Sequence, residues 1–165
     1  MIDDSETATT FLRTLAQARN RTDAEAWPEA VPLWEAVVAA NPVQGRFWSA
    51  LATARYETGE FADAISAFEE ALALGEGLPA ETVYQLARCH AGLGDRDQAL
   101  DQLDRALAIG YRDLERARTD RAFASLRDDP RYRTIVALID TDGLSRDEGW
   151  RTDLRFLVRE IRRRA

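Results

Sequence analysis

The 165-residue chain has one cysteine, one histidine, one methionine and no lysine. A lone cysteine, Cys89, excludes an internal disulfide and removes any paired-cysteine metal motif. A lone histidine, His90, means that a Ser-His-Asp or Cys-His catalytic set would have to be built around that one side chain. Glycine and proline are scarce, at nine and five residues, which argues against a disordered or β-rich chain. No apolar run approaches the roughly 18–20 residues of a membrane-spanning helix. The opening MIDDSETATT is acidic where a secretion signal would be basic and then apolar. On that reading the chain is cytoplasmic, with no membrane insertion.

All 22 basic residues are arginine, against 29 acids, for a net charge of −7. Such a balance disfavours nucleic acid or an anionic membrane as the main partner, because phosphate binding needs a concentrated cationic face. The charge is uneven. Residues 146–165 hold seven arginines against four acids, a balance of +3 that leaves −10 on the preceding 145.

What the chain does have is alanine, leucine, glutamate and arginine, the residues of helices, and a helical spacing of apolar positions. Ser5 or Thr7 can cap a first helix whose Phe11, Leu12, Leu15, Ala16 and Ala18 share a face, ending near Asn20. A turn over Arg21 to Ala26 leads to a second helix with Pro28 in its first turn and Ala30, Leu33, Trp34, Val37 and Val38 as its stripe. Asn41-Pro42 ends it. Two further helical pairs follow. Phe47, Trp48, Leu51, Ala52 and Arg55 face Phe61, Ala64, Ile65, Phe68, Ala71 and Leu72 across the break Thr58-Gly59-Glu60. After a break at Gly75 to Pro79, Val83, Leu86, Ala87 and His90 face Ala99, Leu100, Leu103, Ala106 and Leu107 across Gly92-Leu93-Gly94-Asp95.

A shift of 35 residues lays Leu51-Ala52 on Leu86-Ala87, Gly59-Glu60 on Gly94-Asp95, Ala64-Ile65 on Ala99-Leu100 and Ala71-Leu72 on Ala106-Leu107. Trp48-x-x-Leu51-Ala52 followed by Ala64-x-x-x-Phe68 resembles the tetratricopeptide repeat, with its period of about 34 residues. The resemblance runs from about residue 8 to 110. The first hairpin aligns through Ala30-x-x-x-Trp34 and Pro42, with about two residues inserted near Arg21-Thr22. It implies an all-α, right-handed solenoid in which hairpins at about 8–41, 45–74 and 79–109 cover one another's apolar faces.

The pattern then changes. Asp120 reads as the cap of a short helix carrying Phe123 and Leu126, and Asp129-Pro130 opens another carrying Tyr132, Ile135, Val136, Leu138 and Ile139. This arrangement resembles the segment that closes bacterial tetratricopeptide arrays, so residues 1–110 are expected to form the array and 111–165 its helical cap. Beyond a break at Thr141-Asp142-Gly143, Ser145 can cap a last helix to about Arg163 with Trp150, Leu154, Leu157, Val158 and Ile161 as its stripe.

No catalytic, metal or cofactor site emerges. His90 and Cys89 fall on packing positions, and their adjacency points them to different sides of a helix, which does not converge on a zinc ion. Gly92-x-Gly94 lacks the preceding strand of a phosphate loop.

In the repeat family the first helix of each hairpin lines the concave face. This implies a peptide-binding surface of Arg13 and Gln17 (with Asn20), Arg46, Ser49, Thr53, Tyr56 and Glu57, and Glu81, Tyr84, Gln85 and Arg88. Tyr56, Tyr84 and Arg88 suit peptide contact, because aromatic and arginine side chains dominate binding hot spots. The carboxylate clamp of some members is not reproduced, since Ala50 and Glu81 stand where polar or basic residues are wanted. The expected function is a non-catalytic protein- or peptide-binding scaffold, monomeric or weakly dimeric. A rival reading comes from Arg146-x-x-Gly149-Trp150-x-x-Asp153-Leu154-x-x-Leu157, which resembles the lead-in of tail-specific serine peptidases. It implies an N-terminal, substrate-orienting region of a larger bacterial peptidase, and then a periplasmic location.

Overall fold

In a computed structural model, residues 4–75 and 78–136 are described. They form α1 (Asp4–Asp23), α2 (Trp27–Ala40), α3 (Gly45–Glu57), α4 (Phe61–Ala73), α5 (Pro79–Leu93), α6 (Arg96–Ala108), α7 (Leu114–Thr119), a 3-10 helix (Arg121–Leu126) and α8 (Pro130–Ile135). No strand occurs among the described residues. The fold is all-α, as the periodicity predicts. The expected last helix, Ser145 to Arg163, lies outside the described residues, as do Leu138, Ile139 and the peptidase-like stretch Arg146 to Leu157.

Each hairpin turns by the same device. At the ends of α3 and α5, the amides of Glu60 and Asp95 donate to the carbonyls of Arg55 and His90, at 2.8 and 2.9 Å. Gly59 and Gly94 supply the left-handed residue, at φ +84° and +79°. In the first hairpin the Ala26 amide donates to Arg21 in the same way, at 2.9 Å, and the left-handed slot is filled by Glu25 at φ +53°. A non-glycine residue there carries a backbone cost that the two glycines avoid.

The first hairpin corrects the expected turn. Helix α1 does not stop at Asn20 but runs to Asp23, so the two extra residues near Arg21-Thr22 are absorbed as helix and not as loop. The extension is anchored: Trp34 Nε1 donates to Thr22 Oγ1 at 2.9 Å, and Thr22 Oγ1 donates to the Ala18 carbonyl at 3.1 Å. The buried set of α1 is Leu15 and Ala18, with Phe11 packed against the core edge-on to Phe47 at 6.1 Å. Leu12 and Ala16, expected on the same face, point outward, and Leu12 is 63% exposed.

Helices pack in chain order. α1 pairs with α2, α3 with α4 and α5 with α6, while α2 stacks on α3 and α4 on α5. Alanines make the close approaches possible: Ala52, Ala64, Ala71, Ala87, Ala99 and Ala106 are fully buried between larger neighbours. Gly92 marks one close approach, for a Cβ there would stand 2.7 Å from the Phe61 ring of α4. Arg55, on the packing side of α3, reaches Glu35 of α2 at 2.8 Å and the Asp63 carbonyl of α4 at 3.4 Å, tying three helices.

Three short capped elements close the sequence of described residues. Asp113 accepts from the Arg116 amide at 2.9 Å, Asp120 from Ala122 at 2.9 Å and Asp129 from Arg131 at 2.8 Å. The caps expected at Asp120 and Asp129 are present, the former opening a 3-10 rather than an α-helix. The 3-10 helix packs on α5, and α8 on α6. Phe123, Leu126, Tyr132, Ile135 and Val136 are buried with Val83, Leu100 and Leu103 in one cluster.

Candidate functional site: the inner face of the array

On α3, Arg46, Thr53 and Glu57 are exposed and Ser49 is half-exposed, on the side that Phe47, Leu51 and Ala54 leave free. The Thr53 hydroxyl donates to the Ser49 carbonyl one turn back, at 2.9 Å. On α1, Arg13, Gln17 and Asn20 are exposed. Arg13 and Gln17 continue the row of Glu6 and Thr10 at the i, i+4, i+7, i+11 spacing of one helix side.

The third hairpin departs from expectation. Tyr84 does not lie on a free face: it is fully buried. Its ring stacks on Tyr111 with centroids 4.3 Å apart and planes within 6°, and meets Phe123 edge-on at 5.8 Å. Its hydroxyl donates to Asp120 Oδ2 at 2.7 Å. The physical reason is that the 3-10 segment packs on this side of α5, bringing Asp120 to the Tyr84 hydroxyl. Burial, and then the hydrogen bond to the Asp120 carboxylate, push the Tyr84 phenol far above its ordinary value.

Asp120 is the hub of this corner. Besides capping the 3-10 helix it takes Arg88, whose Nε lies 3.0 Å from Oδ2. The Arg88 guanidinium also stands 4.2 Å over the Tyr56 ring and donates to Gln85 Oε1 at 2.7 Å. Its side chain is only 18% exposed. Burial raises the Tyr56 phenol, against the opposing pull of Arg88. Gln85 in turn donates to Glu81 Oε1 at 2.8 Å, and Arg116 of α7 reaches the same oxygen at 2.9 Å. Thus Glu81, Gln85, Arg88 and Tyr56 form one connected polar row whose far partners, Arg116 and Asp120, come from the segment after the third hairpin. The Arg116–Glu81 pair could have been found from the sequence, for it spans 35 residues, one repeat period. Nothing in the local pattern marked Asp120 as more than a cap.

Cys89 is fully buried, and burial pushes its thiol up to about 12, which suits packing and not nucleophilic chemistry. His90 lies 3.8 Å from the Asp95 carboxylate through Nδ1. Among the described residues no group of three or more His, Cys, Asp or Glu side chains could hold a metal ion. No helix there is long and apolar enough to cross a membrane.

Two family models described as tetratricopeptide repeat match the chain, over residues 15–79 and 56–119. The chain belongs to the tetratricopeptide-repeat family. The second match extends past the third hairpin to the end of α7, so the repeat pattern runs into the segment that covers Tyr84. No curated protein matches. Among solved structures, that of MamA aligns with a TM-score of 0.62 at 16% identity, covering 89% of this chain and 80% of that one. The type III secretion translocator chaperone SycD of Yersinia enterocolitica aligns with a TM-score of 0.53 at 19% identity, covering 78% and 89%. At these identities the likeness is one of fold, and it places this chain among tetratricopeptide-like helical solenoids.

Proposed function

We propose that the chain is a non-catalytic scaffold whose inner face, on the first two hairpins, holds an extended segment of a partner protein. The repeat family supports a protein-interaction role at the coarse level. The finer reading rests on one observation: the inner side of α3 is lined by Arg46, Ser49, Thr53 and Glu57, none of them buried in the core, while the equivalent side of α5 is taken up by Asp120 and Arg116. The Tyr56–Arg88 pair then forms the wall at which the surface ends. In this reading residues 1–110 form the array and 111–165 close it.

A random-peptide display selection on the wild-type chain tests the assignment. Thr53→Arg combined with Tyr56→Ala is expected to weaken selected peptides by at least about tenfold, roughly the 1.4 kcal/mol that one good contact supplies, with the far-UV circular dichroism unchanged. Equal binding by that variant refutes the inner face as the site. The peptidase-accessory alternative rests on residues outside the described ones, and no observation favours it.

A further inference from the structure

The hairpin turns fix which side of α1 belongs to the inner face. The Ala26 amide donates to the Arg21 carbonyl as the Glu60 amide donates to that of Arg55, and Glu25 holds the left-handed place of Gly59. The first two hairpins therefore correspond at a shift of 34 residues, and because α1 is unbroken helix the shift holds along it. It lays Ala18 on Ala52, both fully buried. It also lays Arg13, Gln17 and Asn20 on Phe47, Leu51 and Ala54. The α3 set is buried, Phe47 against Phe11 and Trp34 of the first hairpin. The α1 set is exposed, because no described hairpin stands before it.

What the shift sets on the inner side of α1 is Leu12, Ala16 and Arg19, the counterparts of Arg46, Ala50 and Thr53. They stand at i, i+4 and i+7, on one side of the helix. Leu12 is 63% exposed, and Ala16 and Arg19 are exposed as well. We propose that this row selects the partner segment: Leu12 and Ala16, with the half-buried Ala50, seat a large apolar side chain, and Arg19 takes a carboxylate beside it. The proposal rests on the inner-face reading above.

Two observations favour an acid. The third hairpin shows what an arginine in this place holds: Arg88 is the counterpart of Thr53 at 35 residues, and its Nε lies 3.0 Å from the Asp120 carboxylate. Arg19, at the same place in the first hairpin, pairs with no acid among the described residues. Charge is also sorted between the helices. The outer helices α2 and α4 carry Glu29, Glu35, Asp63, Glu69 and Glu70 and no base, whereas residues 7–22 of α1 carry Arg13, Arg19 and Arg21 and no acid. The acids of α1 stand at its ends, where Asp23 and its counterpart Glu57 bound the row and repel a carboxylate placed one turn too far.

Spacing follows from the helix. Leu12 and Arg19 are about 10.5 Å apart along the axis, at roughly 1.5 Å per residue. An extended segment covers that distance in about three residues. The expected partner segment therefore carries a large apolar residue and an acid about three positions apart.

Selection from a random-peptide display library on the 165-residue chain, followed by binding measurements on the synthesised winners, is the test. The winners are expected to share that apolar residue and acid. Arg19→Glu is expected to weaken them about tenfold or more and, in a repeated selection, to replace the acid by a base. Leu12→Gln is expected to weaken them about tenfold. Both positions are exposed, so the circular dichroism should not change. Arg13→Glu makes the same charge change on the free-end side and is expected to weaken binding at least about threefold less than Arg19→Glu. Equal effects of the two reversals overturn the proposal. Winners that Thr53→Arg with Tyr56→Ala weakens, but that lack the shared pair or bind Arg19→Glu as well as wild type, overturn it and leave the inner-face reading standing. Winners that the Thr53 and Tyr56 double variant binds unchanged overturn both.

Discussion

Replacing Asp120 by alanine tests the corner that closes the inner face. Its carboxylate serves three groups: the Tyr84 hydroxyl at 2.7 Å, Arg88 Nε at 3.0 Å and the Ala122 amide at 2.9 Å. Only 9% of the side chain is exposed. Breaking a buried ion pair by removing one partner costs about 3–5 kcal/mol, because the other charge is left unpaired. Arg88 is 18% exposed and keeps Tyr56 and Gln85 as partners, which moves the expectation to the lower end, about 3 kcal/mol. For a chain of this size that is a fall in melting temperature of about 6–12 °C. Urea denaturation followed by circular dichroism measures it, and a double-mutant cycle with Tyr84→Phe isolates the hydrogen bond, with an expected coupling of about 1 kcal/mol. Asp120→Asn keeps an acceptor and should fall between the two. If Asp120→Ala loses less than about 0.5 kcal/mol, a typical surface value, Asp120 is not the hub described.

Three further perturbations follow from the packing. Gly92→Ala puts a methyl 2.7 Å from the Phe61 ring and should destabilise by about 1–3 kcal/mol; Phe61→Leu in the same chain should recover part of the loss, and no change in the urea midpoint would refute the close approach. Cys89 should resist iodoacetamide at pH 8 in the folded chain and react at once in urea, because burial holds the thiol up at about 12; rapid native labelling would contradict its burial. Tyr84 has a folded-state pKa raised above the unfolded value of 10.0, so its contribution is fully present below pH 10 and is lost as pH rises beyond it. Stability should therefore fall on the alkaline side, and Tyr84→Phe should flatten that limb in a melting-temperature profile.

The helices and their pairing were legible because apolar residues at three- and four-residue spacing report one buried side. That signal is silent about how many neighbours a helix has. On α3 it left Arg46, Ser49, Thr53 and Glu57 outside the core, and so they are. On α5 the same spacing picked out Val83, Leu86 and Ala87, yet Thr82 and Tyr84 are buried too, Tyr84 against Asp120, 36 residues further on. Tyrosine compounds the difficulty, since its ring packs and its hydroxyl hydrogen-bonds with equal ease. Leu12 shows the converse: an apolar residue at a plausible position is 63% exposed among the described residues. The extension of α1 was hidden for another reason, because a left-handed Glu25 stands where the other two hairpins carry the glycine that marks a turn.

The covering of α5 bears on where recognition can occur. A repeat array offers equivalent inner positions on every unit, and simple periodicity would assign equal weight to each. Here the third unit's inner side chains already have partners within the chain: Glu81 holds Arg116, Arg88 holds Asp120, and Tyr84 is sealed beneath Tyr111. A ligand competing for Arg88 would have to displace a carboxylate held at 3.0 Å in a largely dry corner, a cost that Thr53 or Ser49 does not impose. Under the proposed function, partner contact falls to the first two hairpins. The Arg88–Tyr56 stack acts there as a fixed boundary, positioned by Asp120 from beyond the third hairpin.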